Sequence, residues 1–222
     1  MAGKNLSDAQ LEARLERFEA KATEHQRAGG ASRGTAILFT ILGFIGFYAS
    51  LQLIMAEKTK LKNPETMLQC DLNPLIGCGK WIGAWQNEVL FGISNSVLGF
   101  AFFSGVIALG LVLLTDGRFG KWLWRALAVG TVLGLVWVLW FGYQSYVVER
   151  SMCPYCVIVW FTFIPLFVHV WARTLQAGHW GEGGEAIGSS LVRNRWIITG
   201  IIWVALILFT VLWFWNQWFL VF

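Results

Sequence analysis

Five long stretches of this chain carry no Asp, Glu, Lys or Arg: residues 34–55, 89–115, 126–148, 151–172 and 196–222. About 20 apolar residues cross a bilayer core as a helix. Backbone amides in lipid must be satisfied within their own segment, so each stretch predicts a membrane-spanning α-helix. A transmembrane barrel would show short alternating segments instead of continuous runs. Composition agrees. Hydrophobic residues make up 56% of the 222 residues and charged residues 14%, against roughly 25% charged in a soluble domain. The 14 Trp and 17 Phe exclude a disordered chain. The net charge is only +4, and the basic residues do not share one aromatic-interleaved face, which excludes nucleic-acid binding. The expected fold class is an all-α polytopic membrane protein with five transmembrane helices.

The first 33 residues contain five acids, so they do not read as a cleavable signal. They predict a cytoplasmic amphipathic helix. Ser7 with Gln10 forms its capping box, and Leu11, Leu15, Phe18 and Ala22 fall on one face. Gly29, Gly30 and Ser32 then hinge into the first span. With the N-terminus in the cytoplasm, that side holds 12 Lys and Arg and the outer side five, which supports this orientation in the plasma membrane. Residues 56–93 then form the large outer loop. Residues 173–195, Gly-rich from Gly178 to Ser190, predict a flexible cytoplasmic linker, and residues 196–222 a fifth, lipid-facing span.

All four cysteines fall on the outer side, where disulfides persist. Cys70 and Cys78 lie in the loop. Cys153-Pro154-Tyr155-Cys156 opens the fourth span, with Pro154 suited to the first helical position. Cys156, three residues on, shares a face with Cys153 and lies about 4–5 Å deeper. A helix N-terminus favours thiolate, so this pair reads as redox-active. A thiol on the water side and a lipid-soluble acceptor on the other could both exchange with it. The loop pair reads either as a static disulfide or as the outer half of a relay. A structural role, with four Cys holding zinc, stands as the alternative from another class. Haem attachment is excluded because Val157, not His, follows Cys156.

Polar residues collect at the depth of Cys156: Ser50 and Gln52, then Ser94, Asn95 and Ser96, then Gln144 and Ser145. Asn95 is the best candidate to bind a quinone carbonyl, since an amide can donate to it. Trp85, Phe91, Tyr155 and Trp160 could wall an apolar ring, although aromatic residues also gather at membrane interfaces. No acidic or basic residue is expected within the spans, which argues against an ion transporter.

These residues resemble the vitamin K epoxide reductase family in its bacterial branch. The resemblance rests on Cys70-Asp71 and Cys78 in the first outer loop, Asn95-Ser96-Val97-Leu98-Gly99 opening span two, and Cys153-Pro154-Tyr155-Cys156 opening span four. The quinone-linked thiol oxidases of the disulfide-bond B family place these two pairs in the opposite order. The resemblance implies a four-helix catalytic domain over residues 34–172, built around a quinone of the menaquinone or ubiquinone type, with the fifth helix outside it. It implies a redox centre of Cys153 and Cys156, with Cys156 facing the quinone, and shuttle cysteines Cys70 and Cys78. Asn95 matches the family's quinone-binding asparagine, while Asp71 and Ser96 support the site. Ala84 stands where the family often has Ser or Thr, and Trp160 where it often has Tyr. Many bacterial members carry a fused thioredoxin-like domain; here the implied partner is a separate secreted or periplasmic thioredoxin-like thiol oxidase. The expected activity is thiol oxidation coupled to quinone reduction, supporting disulfide formation in exported proteins. Reduction of vitamin K quinone or its epoxide as the main role is the alternative within the same chemistry.

Overall fold

The computed structural model describes residues 21–220. The amphipathic helix expected from Ser7 to Ala22 lies outside them up to residue 20, and residues 21–23, at its expected end, are not helical. Five helices are long and apolar enough to span a membrane: α1 (Arg33–Lys62), α2 (Asn95–Leu114), α3 (Lys121–Tyr143), α4 (Pro154–Gln176) and α5 (Glu185–Trp213). The described residues form no β-sheet, only isolated bridges. The protein is thus an all-α polytopic membrane protein.

Helix ends follow local chemistry. Ser32 caps α1, its hydroxyl accepting the Thr35 amide. Pro154 occupies the first turn of α4, directly after the Cys153 cap, where its missing N–H loses nothing. Past Tyr143, α3 continues as a π-helical turn over Gln144–Val148. The first span was expected to end near Met55, yet α1 runs on to Lys62. Residues 56–62 contain good helix formers and no breaker before Pro64.

The expected flexible linker is also corrected. Helix α5 starts at Glu185, well inside the Gly-rich stretch. Only a short connection remains, with Gly178 and Gly181 at φ +68° and +100° and a 3-10 turn at Glu182–Gly184. Gly188 explains the ordering: a Cβ there would come within 2.0 Å of the Gln176 amide. Its missing side chain lets the two helix ends touch, and packing overrides the linker-like composition.

The pairs α1–α2, α4–α5, α1–α4 and α3–α4 pack together. In lipid, helices associate through close backbone approach and hydrogen bonds. Between α1 and α2, an added Cβ at Gly43 would meet the Ile107 backbone at 2.9 Å, and one at Gly110 the Thr40 backbone at 2.8 Å. Between α4 and α5 the device is polar. Pro165 has no N–H to offer the carbonyl four residues back. That carbonyl belongs to Phe161, and Trp203 Nε1 on α5 donates to it at 3.1 Å.

At the end remote from the cysteines, the turn after the short helix Glu24–Arg27 is held rather than hinged. Buried Arg173 donates to His179 Nε2 at 2.7 Å, to the Gln26 carbonyl at 2.9 Å and to the Gly30 carbonyl. Its guanidinium lies 3.6 Å from the Trp124 ring centroid, and Trp124 Nε1 donates to the Gly29 carbonyl at 2.8 Å. Arginine has no acceptor, so His179 Nε2 carries no proton. Burial, reinforced by Arg173, Lys121 and Arg125, lowers the His179 pKa to about 4.

Candidate functional site: two cysteine pairs at the mouth of an apolar cavity

Cys70 and Cys78 form a disulfide, and Cys153 and Cys156 are free thiols. The sequence-distant pairs meet: the Cys153 and Cys78 sulfurs lie 3.5 Å apart, both buried.

Backbone and carboxylate together fix this approach. The residue before Cys153 forms a parallel bridge to the loop. The Met152 amide donates to the Leu75 carbonyl at 2.8 Å, and the Gly77 amide to the Met152 carbonyl at 2.9 Å. Asn73 Oδ1 accepts the Leu75 and Ile76 amides at 3.0 and 2.8 Å, a local turn typical of Asn. Asp71 Oδ1 accepts the Cys78 and Gly79 amides at 2.8 Å each, and its Oδ2 accepts the Leu68 amide at 3.3 Å. Gly77 and Gly79 make room: a Cβ on either would come within 2.8 or 2.7 Å of the Asp71 carboxylate. On the other side, Glu149 accepts from Gln86 at 3.1 Å and pairs with Lys80 at 3.2 Å, tying the loop to the α3–α4 turn.

Below the sulfurs lies a cavity of about 590 Å³, lined by residues of α1, α2, α3, α4 and the loop. Small-molecule pockets span roughly 300–1,000 Å³. Its walls are almost wholly apolar, among them Leu53, Trp81, Phe102, Phe141, Trp160 and Phe163. Cys78, Cys153 and Cys156 all border it. On α3, Leu133 and Val136 line it while remaining 67% and 61% exposed, so it reaches the lipid-facing surface.

The expected site residues divide. Asn95, Ser96, Ser50 and Trp160 line the cavity. Asn95 Nδ2 donates to the Gln86 carbonyl at 3.0 Å, while its buried Oδ1 has no partner in the protein. Trp160 is 5% exposed and its ring lies 6.0 Å from Tyr146. Trp85 and Phe91 are not in the walls and this expectation is corrected. Trp85 is largely exposed and sits edge-on to Trp140 at 6.0 Å. Phe91 is 95% exposed, in a left-handed turn at φ +57°. The loop instead turns Trp81 inward, where it packs against Phe141 at 4.7 Å. Gln52, Tyr155, Gln144 and Ser145 also stay outside the lining. The Ser145 carbonyl accepts the Ser151 amide at 3.0 Å and so braces the approach to Cys153.

Among the lining residues the sequence reading passed over, one carries a charge. Glu57 borders the cavity and accepts a hydrogen bond from Ser96 at 3.1 Å. Ending the span at Met55 had assigned it to the loop. Its signal was helical spacing: Ser50, Leu53 and Glu57 recur at i, i+3 and i+7 and line one face.

A model of the vitamin K epoxide reductase family matches residues 37–171, a stretch that holds both cysteine pairs and the residues lining the cavity. The chain belongs to the vitamin K epoxide reductase family. It is therefore a membrane oxidoreductase, and the family's chemistry is that of disulfides and quinones. The site suits the family's quinones: apolar walls at membrane depth, a thiol at the edge, and an Asn95 amide lining the cavity whose Nδ2 gives one of its two protons to the Gln86 carbonyl and has a second to donate. Helix α5 lies outside the matched residues and packs on α4.

Proposed function

We propose that this protein carries electrons from a secreted, thioredoxin-like disulfide-forming partner, through Cys70–Cys78 and then Cys153–Cys156, to a quinone of the menaquinone or ubiquinone type. The cysteines face the outside of the plasma membrane and the N-terminus the cytoplasm, as the Lys and Arg distribution favours. The observation that carries the reading is the 3.5 Å approach of Cys78 and Cys153 sulfurs above the cavity that Cys156 borders.

The relay follows thiol–disulfide exchange. Partner thiols reduce the Cys70–Cys78 disulfide and leave as a disulfide themselves. The Cys78 thiolate attacks the Cys153 sulfur of an oxidised Cys153–Cys156 pair, forming a Cys78–Cys153 bond and releasing the Cys156 thiolate. Cys70 then attacks Cys78, regenerating the loop disulfide and releasing the Cys153 thiolate. A loop disulfide beside two free helix thiols is the arrangement this step would leave. Cys153 and Cys156 close to a disulfide and give up two electrons and two protons, for which a quinone bound in the cavity would supply the acceptor. Asn95, with an Nδ2 proton beyond the one given to the Gln86 carbonyl, would donate to it at the rim, and Trp160, Trp81 and Phe141 exclude water.

The test is quinone reduction by purified protein, with dithiothreitol or a reduced thioredoxin-like oxidase as donor. Cys153→Ala and Cys156→Ala are expected to abolish turnover with either donor. Cys70→Ala and Cys78→Ala are expected to lose turnover with the protein donor and keep part of it with dithiothreitol, which reaches Cys153 directly. Wild-type turnover in Cys153→Ala would overturn the redox centre. Unchanged oxidation of the protein donor in both loop variants would make the loop pair structural.

A further inference from the structure

Quinone reduction consumes protons as well as electrons, and the cavity walls are almost wholly apolar. Among the described residues lining it, Glu57 is the one carboxylate. It stands half-buried near the outer end of α1. Ser96 Oγ lies 3.1 Å from Glu57 Oε2 and 2.8 Å from Ser94 Oγ. Both serines are buried, at 5% and 8% exposure. Ser96 also lines the cavity, next to Asn95 with its unpartnered oxygen. A hydroxyl has one proton to donate and lone pairs to accept. Ser96 therefore cannot give its proton to Glu57 and to a ligand at once. Here it gives it to Glu57.

We propose that Glu57 and Ser96 form a proton relay into the cavity, Glu57 holding the proton and Ser96 handing it to an acceptor oxygen. In the delivering state Glu57 is protonated and the bonds run the other way: the Glu57 O–H donates to Ser96 Oγ, and the Ser96 O–H points into the cavity. Transfer moves the Ser96 proton to the acceptor oxygen as the Glu57 proton replaces it. Glu57 is then recharged from water at the outer mouth, where it is partly exposed. The balance closes. Oxidation of Cys153 and Cys156 to a disulfide releases two electrons and two protons, the acceptor takes up two of each, and the relay returns one of those protons from water. Ser94 anchors the hydroxyl of Ser96 and has no route of its own to the cavity lining.

This inference rests on the quinone reading above, and the experiment separates the two. Purified wild type, Glu57→Gln and Ser96→Ala are compared in three measurements. The first is reduction of a soluble short-chain quinone by the pre-reduced enzyme in a single turnover. The second is quinone affinity, read by quenching of tryptophan fluorescence. The third is the infrared difference spectrum between oxidised and reduced enzyme. Glu57→Gln keeps the shape and a hydrogen bond to Ser96 but has no proton to transfer. Single-turnover reduction is expected to fall at least about 100-fold in both variants, the low end for loss of a general acid, with affinity within about twofold. A carboxylic-acid band in the wild-type difference spectrum is expected to be missing in Glu57→Gln. Wild type that reduces no quinone sinks the quinone reading. Active wild type with Glu57→Gln within about twofold of its rate overturns the relay alone. So does a rate loss matched by an equal loss of affinity, which marks a binding role, or an unchanged carboxylic-acid band.

Discussion

Removing the Asp71 carboxylate tests whether the meeting of the two cysteine pairs is built by the loop. Asp71 receives three backbone amides, at 2.8, 2.8 and 3.3 Å. Asp71→Ala strips the acceptor from the Cys78 and Gly79 amides, the two short bonds that orient the attacking sulfur. A hydrogen bond to a charged group contributes about 1.5–3 kcal/mol net, and a buried donor left unpaired costs about 1–3 kcal/mol. Water can reach part of this loop, so about 2–4 kcal/mol is the expected cost for the pair. The helices do not depend on these bonds, so the cost falls on the loop conformation and not on global unfolding. If the ordered loop carries the exchange, Cys78–Cys153 coupling slows by as much as roughly 30- to 900-fold. The assay uses a Cys70→Ser, Cys156→Ser background, where neither resolving cysteine remains, and follows Cys78–Cys153 disulfide formation by mass spectrometry after addition of oxidised glutathione, which takes up the two electrons and leaves as glutathione. With all four cysteines present, the loop disulfide of Asp71→Ala should still form, and dithiothreitol should still reduce its oxidised Cys153–Cys156 pair. Mixed-disulfide formation at the parent rate in Asp71→Ala would show that the parallel bridge through Met152 is enough by itself, and the carboxylate's role in the relay would be refuted.

Two further outcomes are expected. Trp203→Phe should destabilise the detergent-solubilised protein by about 0.6–1.7 kcal/mol, the range for hydrogen bonds between membrane helices. In a Pro165→Ala background, where an N–H is restored to the Phe161 carbonyl, most of that loss should vanish; an equal loss in both backgrounds, read by denaturant titration, would refute the pairing of Trp203 with the proline gap. His179, with its pKa lowered to about 4, is neutral in the folded chain while an unfolded one titrates near 6.5. Its contribution is therefore zero above pH 6.5, destabilises progressively as pH falls from 6.5 to about 4, and levels off below. The slope is at most about 1.4 kcal/mol per pH unit, and His179→Gln should flatten unfolding midpoints over that window; an unchanged slope would place the acid sensitivity elsewhere.

The primary structure was enough for the architecture and the cysteines. Uncharged runs of span length leave the backbone no alternative to helices in lipid, so all five spans were legible. Cys153 and Cys156 were legible because their relation is local: Pro154 and a three-residue step set it within one helical turn. Asp71 beside Cys70 and Asn95 at the start of α2 were legible from the family's motifs. The ends of elements were less so. Hydrophobicity stops at Met55, whereas the helix continues as long as nothing breaks it, and that continuation brings Glu57 to the cavity. The Gly-rich stretch before α5 reads as a linker by composition, but a missing Cβ at Gly188 is also what lets α5 lie against the end of α4.

Only the tertiary structure decided which side chains meet. Trp81, not Trp85 or Phe91, walls the cavity, because the loop's turns set which of its aromatic residues point inward, and no periodicity runs through an irregular loop. The 3.5 Å approach of Cys78 to Cys153 joins residues far apart in the chain through the bridge at Met152 and the Asp71 cradle. Likewise, the partner of the Phe161 carbonyl freed by Pro165 is an indole on another helix. Hydropathy and motif spacing report what a segment demands of its own neighbours along the chain. Contacts between segments depend on how helices cross and loops fold back, and those are settled by packing summed over the whole molecule.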